Sequence, residues 1–183
     1  MASPPQINVG LLGMGVVGGG VAAALIEQSS DIALKIGRPV KLKKILVRDL
    51  GKHAGANLPT GMLTTIPEEI LNDNEIHVVV EAMGGTQPAA GYMKQALASG
   101  KHVVTANKEV IAKYGPGLIY SAHQKGVNLL YEASVGGGIH CEASSAPTLI
   151  NCELTANRAT GTTAKGGGMY CNFEPILTNV TIS

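Results

Sequence analysis

The chain has 183 residues, of which 45% are hydrophobic, and its formal net charge is +1. This length suits one domain, or one domain and a fragment, because domains commonly contain about 100 to 200 residues. The near-neutral charge argues against a nucleic-acid partner. The chain has no apolar run near ~18 residues and no secretory-type start, which argues against a membrane span or export. We therefore expect a cytoplasmic protein.

The first predicted element is an apolar strand at Ile7–Leu12 that leads directly into a Gly-x-Gly-x-x-Gly series, Gly13, Gly15 and Gly18. A helical pattern over 16–28 follows. In dinucleotide-binding folds the first glycine permits a tight turn, the second lets the backbone approach a pyrophosphate, and the third allows close packing of helix on strand. The context of strand, turn and helix favours a nucleotide site over an ordinary glycine-rich turn.

A polar break over 29–39 separates this unit from a second predicted strand over 40–47. Arg48 and Asp49 follow that strand, where an acidic residue usually binds the adenosine ribose and an Arg accommodates a 2′-phosphate. A bond from Asp49 to the ribose would indicate NAD, and a contact of Arg48 with a 2′-phosphate would indicate NADP. The geometric match between guanidinium and phosphate favours Arg48 and NADP. The alternative is that both charges only solvate a loop.

Three more strands are predicted over 76–81, 101–105 and 127–131, with helices between them from Pro88 to Gly100 and over 117–125. One Phe, five Tyr and no Trp leave Val, Ile, Leu and Ala to fill the core, which is typical of buried parallel strands. This alternation predicts an α/β fold with a doubly wound, Rossmann-type, mostly parallel sheet. Ligands of such sheets bind at the carboxyl ends of the strands.

Two strand ends carry further candidates. Gly84 and Gly85 follow the strand over 76–81, and the turn they form either borders a nicotinamide or only connects strand to helix. Thr105 and Lys108 follow the next strand. A lysine there is often a solvated helix-start residue, but hydride transfer to a carbonyl also needs a group that handles the oxygen's proton or charge. Lys108 is therefore the candidate catalytic residue.

The last predicted strand is followed by Glu132-Ala-Ser-Val-Gly-Gly-Gly-Ile139, which offers a carboxylate and glycine-permitted carbonyls. Such oxygens bind hard cations, although a hinge between domains explains the same pattern. We expect a nucleotide-binding domain over 1–139 and a short, poorly defined segment over 140–183. The three cysteines lie at 141, 152 and 171 without C-x-x-C spacing, and we interpret them as free thiols.

Five segments together resemble homoserine dehydrogenases in the order in which they occur: GLLGMGVVGGGV, KILVRDLGK, VVVEAMGG, GKHVVTANKEVIA and YEASVGGGI. The resemblance covers about residues 7–139. It implies NAD(P)-dependent interconversion of aspartate 4-semialdehyde and homoserine, in the pathway to threonine, methionine and isoleucine.

The resemblance also implies residue roles. The pyrophosphate would contact the glycine turn, Arg48 would bind the 2′-phosphate, and a second set would border the nicotinamide. A third set would surround a monovalent cation, usually sodium. The residues at the pyrophosphate would be Gly13, Gly15, Val16, Val17 and Gly18. Those at the nicotinamide would be Gly84, Gly85, Thr105 and Lys108. Those around the cation would be Glu132, Val135, Gly137 and Ile139.

The family pattern is not followed after Ile139. His140 stands where similar proteins have a proline, and the family's substrate domain, with its dimer sheet and a second lysine that donates a proton, has no full counterpart before Ser183. Two functions stay open on this basis. One is a homoserine dehydrogenase-like oxidoreductase, a homodimer if the dimer sheet forms. The other is a non-catalytic NAD(P)-binding module that acts without a substrate domain or with a partner chain.

Overall fold

The computed structural model describes residues 5–131 and, beyond them, the backbone of six short strands. Within 5–131 the strands are β1 Ile7–Leu12, β2 Val40–Leu46, β3 Leu63–Thr64, β4 Val78–Glu81, β5 His102–Thr105 and β6 Leu129–Tyr131. The helices are α1 Val16–Glu27, α2 Ser29–Ile36, α3 Glu68–Leu71, α4 Ala89–Ala98 and α5 Lys108–Lys125, with a short 3₁₀ turn at Gly51–His53.

The six strands of this region form one sheet in the order β3-β2-β1-β4-β5-β6, and every neighbouring pair is parallel. This is the strand order of doubly wound dinucleotide-binding folds, and it confirms the predicted fold class. The order reverses between β1 and β4, where Leu12 is paired with Glu81. A crevice at the carboxyl ends of these two strands is the usual ligand position in such sheets.

Both faces of the sheet are covered. Along β1, Leu11 and Leu12 are fully buried in two different apolar clusters, as expected when successive side chains point to opposite faces. The Leu12 cluster includes Met93 of α4 and Leu118 of α5. The Leu11 cluster includes Ala22 of α1. Helices on both sides explain why the central strand β4 reads Val-Val-Val-Glu instead of alternating apolar and polar residues.

Two of the predicted element bounds are wrong. The segment over 29–39, interpreted as a polar break, contains helix α2, which ends at Gly37 in the left-handed conformation with φ 75°. The helix predicted over 117–125 begins nine residues earlier, at Lys108, and runs through Pro116. Packing against α4 and the sheet, with Val110 and Leu118 buried, outweighs the breaking tendency of that proline. β3 and α3 were not predicted.

Beyond residue 131 the backbone forms three parallel pairs of short strands. The strands are β7 Ile139–Cys141, β8 Thr148–Ile150, β9 Glu153–Leu154, β10 Met169–Cys171, β11 Ile176–Thr178 and β12 Thr181–Ile182. β7 is paired with β10, β8 with β11, and β9 with β12. No helix in the described part of the chain has the length and apolarity needed to cross a bilayer.

Candidate nucleotide-binding site

The first and third glycines of the turn are required by contacts within the protein. Gly13 has φ 95° and its N–H donates to the Leu46 carbonyl at 2.9 Å. A Cβ built on Gly13 would lie 2.8 Å from the Ala82 carbonyl oxygen, and one built on Gly18 would lie 2.1 Å from the Gly13 carbonyl oxygen. Both distances are below normal van der Waals contact, so a side chain at either position would displace the backbone between β1, α1 and β4.

The second glycine has a different environment. A Cβ built on Gly15 has no atom of the described residues within 4 Å, and the Gly15 φ of −78° is accessible to any residue. Neither packing within 5–131 nor backbone conformation therefore explains a glycine here. The open space over this backbone is where a bound group could approach it, as the pyrophosphate does in dinucleotide-binding folds.

The start of α1 suits an anion. Gly15 is the N-cap of this helix, and among the described residues no side chain caps it and its first turn contains no acidic residue. The first-turn N–H groups of a helix lack intrahelical acceptors and carry a partial positive charge. Val16 and Val17 are exposed at 96% and 58%, so the start of this helix lies at the surface of the described region. The start of α1 at the end of β1 therefore has the features of a helix terminus that can bind phosphate.

At the end of β2 the two charged candidates differ. Arg48 is exposed. The Asp49 carboxylate accepts a hydrogen bond from the Gly51 N–H at 2.8 Å, which fixes the turn that leads into the 3₁₀ segment. Because one carboxylate oxygen of Asp49 is used in this turn, Arg48 is the more available of the two for a ligand.

Glu81 is a site residue that the sequence interpretation missed. It is the last residue of β4 and only 1% exposed. Its carboxylate accepts hydrogen bonds from the Thr105 hydroxyl at 2.5 Å, from the Met83 N–H at 2.8 Å and from the Asn107 side-chain amide at 3.4 Å. An apolar strand that ends in an acid is a weak signal in a sequence, because only the pairing of β4 with β5 shows what the acid contacts.

Asn107 extends this network to the helix that begins at Lys108. Its side-chain oxygen accepts from the Val110 N–H at 3.1 Å, which caps α5. Its side-chain amide also donates to the Gly85 carbonyl at 2.8 Å, and its own N–H donates to the Thr105 hydroxyl at 2.9 Å. The start of α5, the end of β5 and the glycine turn after β4 are thus linked through one side chain.

The glycine turn after β4 needs its glycines for conformation. Gly84 and Gly85 have φ 74° and 72°, and both are exposed. Further along this connection, Gln87 forms a hydrogen bond with the Tyr114 hydroxyl, and this bond, followed by the neighbouring Lys113, lowers the pKa of that phenol. α5 therefore holds the connection after β4 at two places, through Asn107 and through Tyr114.

The structure brings the candidates of 5–131 to one edge of the sheet. The glycine turn follows β1, Arg48 follows β2, Gly84 and Gly85 follow β4, and Lys108 follows β5. Lys108 is exposed, whereas Thr105 is 3% exposed and its hydroxyl is directed at Glu81. Any contact of Thr105 with a ligand would therefore involve its main chain.

The expected cation site lies almost entirely outside the described residues. Glu132, Val135 and Gly137 lie outside the described residues, and Ile139 is described only as the first residue of β7. In the described part of the chain, no group of three or more His, Cys, Asp and Glu residues could hold a metal ion.

The strand order, the glycine turn and the uncapped helix terminus define a Rossmann-type, dinucleotide-binding domain. Residues 13–132 match the family model described as homoserine dehydrogenase, NAD binding domain. The chain belongs to this family.

Individual relatives agree with this assignment. The chain is 43% identical over 133 residues to the homoserine dehydrogenase of Bacillus subtilis (strain 168), and 46% identical over 133 residues to that of Synechocystis sp.. Each match covers 73% of the chain. A crystal structure of a homoserine dehydrogenase from Thiobacillus denitrificans superimposes with a TM-score of 0.67 and 44% identity over 76% of the chain. The S. aureus homoserine dehydrogenase at pH 7.5 gives a TM-score of 0.66 and 39% identity over 73% of the chain.

The matched part is a minority of each relative. The chain spans 31% and 30% of the two curated relatives, and 32% and 34% of the two crystallised chains. The family resemblance found in the sequence is confirmed for the nucleotide-binding region.

Proposed function

We propose that this chain supplies the cofactor-binding part of an NADP-dependent homoserine dehydrogenase, which interconverts aspartate 4-semialdehyde and homoserine. The observation that carries the proposal is the open backbone at Gly15, beside the uncapped start of α1, in a chain of the homoserine dehydrogenase family. When bound, the cofactor supplies or accepts the hydride. The residues of the chain bind it, orient it and position Lys108.

In this proposal each strand end contacts one part of the cofactor. The turn and the first residues of α1 bind the pyrophosphate with N–H groups, and Arg48 binds the 2′-phosphate. Gly84, Gly85 and Lys108 border the nicotinamide, with the Thr105 main chain beside them. The residues proposed for the pyrophosphate are Gly13, Gly15, Val16, Val17 and Gly18.

The preference for NADP over NAD is supported by the hydrogen bond between Asp49 and Gly51. A carboxylate selects NAD by accepting from the ribose hydroxyls, and this one already accepts a main-chain N–H. The exposed guanidinium of Arg48 can form two parallel hydrogen bonds with a phosphate.

Lys108 is the proposed catalytic residue. Its ammonium, at the first position of α5, would lie beside the substrate oxygen and stabilise the charge that changes there as the hydride moves.

We further propose that Glu132, Val135, Gly137 and Ile139 bind a monovalent cation such as sodium, that the protein is cytoplasmic, and that residues 1–139 form the nucleotide-binding domain and 140–183 a separate segment.

The second candidate is a non-catalytic NAD(P)-binding module that acts with a partner chain. It is favoured by one observation, that the matches to the curated relatives cover 73% of this chain and do not extend over the remainder. Under this proposal the cofactor site is complete, and the substrate's carboxylate and amine are bound by other residues or not at all. A homodimer is compatible with the first candidate and is not required by the second.

Titration and turnover on one preparation test both candidates. NADPH and NADH binding is followed by nicotinamide fluorescence, and homoserine oxidation is followed by the appearance of NADPH. The first candidate requires binding and turnover, and Lys108→Ala should reduce turnover by about 10²- to 10⁴-fold, as loss of a positioned proton-transfer or charge-stabilising group does. Binding without turnover favours the module, and the absence of binding contradicts both.

Lys125→Ala is the matched control for Lys108→Ala. Lys125 is the last residue of the same helix and is exposed, about 25 Å from Lys108 at 1.5 Å per helical residue. The Lys125→Ala variant loses the same charge and the same flexible side chain as Lys108→Ala, but the substitution lies at the opposite end of α5. If both variants reduce turnover equally, the role proposed for Lys108 is wrong.

A further inference from the structure

The buried carboxylate of Glu81 has no role in the function proposed above. Of the four buried polar or charged residues in 5–131, Glu81 is the only acid, and it lies at the carboxyl end of β4, beside the point where the strand order reverses. A buried carboxylate is costly unless several donors compensate it. Glu81 has three such donors, and each belongs to a different part of the site.

These three donors divide between the two oxygens of the carboxylate. One oxygen accepts from the Thr105 hydroxyl, at the end of β5. The other accepts from the Met83 N–H, which starts the glycine turn, and from the Asn107 side chain, which caps α5. Through its carboxylate, one acid therefore links the end of β5, the start of the glycine turn and the cap of α5, next to the residues proposed to border the nicotinamide.

We propose that Glu81 is a positioning residue for the nicotinamide end of the cofactor site. Its carboxylate holds the turn at Gly84 and Gly85 in a fixed position relative to Lys108, the first residue of α5. Because glycine has no Cβ and adopts positive and negative φ with similar ease, the turn at Gly84 and Gly85 has wide conformational freedom of its own, and the hydrogen bonds through Glu81 and Asn107 restrict it. This inference rests on the proposed function.

The test separates the two ends of the cofactor by using two probes. NADPH contacts the whole site, whereas 2′-phospho-ADP-ribose has the same adenosine, 2′-phosphate and pyrophosphate but no nicotinamide. Binding of each probe is measured by isothermal titration calorimetry. Glu81→Met keeps a similar volume and removes both acceptor oxygens, and Thr105→Val keeps the shape of the side chain and removes its hydroxyl.

We expect Thr105→Val, which removes one hydrogen bond to the carboxylate, to bind NADPH about tenfold more weakly, and Glu81→Met, which removes all three, to bind it at least as weakly as that. Their affinity for 2′-phospho-ADP-ribose should stay within about twofold of wild type. Thr105→Ser retains the hydroxyl and should bind NADPH as wild type does. The double variant should lose little more than Glu81→Met alone, since the hydrogen bond of Thr105 is already broken in that variant.

Thermal unfolding, followed by circular dichroism, establishes that each variant is folded at the titration temperature. If Glu81→Met does not fold, Thr105→Val with its Thr105→Ser control carries the test. Equal losses for the two probes would show a general structural role and overturn the proposal, as would unchanged NADPH binding. If wild-type protein binds neither probe, the proposed function itself fails, and this result is distinct from a variant that binds both equally well.

Discussion

Gly18 in the first turn of α1 lies against Gly13, so close that a Cβ on Gly18 would stand 2.1 Å from the Gly13 carbonyl oxygen. This contact sets the distance between the helix and the end of β1. It also means that the glycine series contains two kinds of glycine, those required by the protein and the one at Gly15 that is open to a ligand. The two kinds can be separated by experiment.

Gly18→Ala should destabilise the fold. The added methyl group meets backbone, which cannot rotate away as a flexible side chain can, so we expect a loss of about 1 to 3 kcal/mol in the free energy of unfolding, as for other overpacked sites. Urea unfolding measures it. Gly20→Ala, in the same helix with no described atom within 4 Å of its Cβ, is the control and should gain about 0.5 to 1 kcal/mol. A Gly18→Ala protein as stable as wild type would contradict the observed contact.

Gly15→Ala should weaken cofactor binding more than it weakens the fold. Stability should fall by about 1 kcal/mol or less, because the methyl group has open space and the cost is limited to the preference of a helix N-cap for Gly over Ala. NADPH affinity should fall about tenfold or more, because the methyl group occupies the space that the pyrophosphate needs. Fluorescence titration with NADPH measures this change, again with Gly20→Ala as the control. Unaltered affinity would exclude close approach of the cofactor at this glycine.

Arg48→Ala should change the choice of cofactor. Loss of the charge-assisted hydrogen bonds to the 2′-phosphate should weaken NADPH binding by about tenfold or more, and NADH binding should be unaffected. Parallel fluorescence titrations with the two cofactors give the ratio. Lys52→Ala removes a nearby exposed charge and is the control for a general electrostatic effect. If Arg48→Ala weakens both cofactors alike, the selectivity of the site does not come from this residue.

The sequence was sufficient for five of the six strands of the sheet, because β-branched runs such as the one at β4 alternate with helical patterns, and this alternation leaves few topologies. The edge strand β3 has only two residues and was not predicted. The sequence was insufficient for α2 and for the first half of α5. The Gly115-Pro116-Gly117 run in α5 has low intrinsic helix propensity. Its burial against α4 and the sheet outweighs that preference, and such tertiary contacts are not visible in local sequence.

The candidate site also contains residues that could be predicted from the sequence and contacts that could not. Residues at strand ends could be proposed for the cofactor because parallel strands bring their carboxyl ends to one edge. The link from Glu81 to Thr105 could not, because it depends on the register that pairs these two residues across β4 and β5. A shift of one residue would direct the two side chains to opposite faces of the sheet. The register is fixed by packing of the whole sheet and not by either strand alone.

Lys43 contacts Asp73 at 2.7 Å and Glu75 at 2.6 Å, and this charge cluster should make the stability of the fold depend on pH. Burial alone would raise the pKa of the Asp73 carboxyl, but hydrogen bonds from Lys43 and from the Glu75 N–H outweigh burial and lower it. A lowered carboxyl pKa contributes stability above the unfolded-state value of about 3.9, and this contribution is lost as pH falls through the lower folded-state value. The contribution should be about 1 kcal/mol or less, because both side chains are partly exposed.

Asp73→Asn tests this contribution, because it keeps an oxygen for the Glu75 N–H and removes the charge that Lys43 contacts. The variant should be less stable than wild type at pH 7, and the difference should shrink as pH falls below about 4, where the wild-type carboxyl becomes protonated. Urea unfolding at pH 7, 4 and 3 measures the difference at each pH. Asp31→Asn, at an exposed position in the first turn of α2, is the control for loss of a carboxylate elsewhere. A difference that stays constant between pH 7 and pH 3 would show that the charge of Asp73 contributes nothing, and that its role is confined to the turn it forms with Glu75.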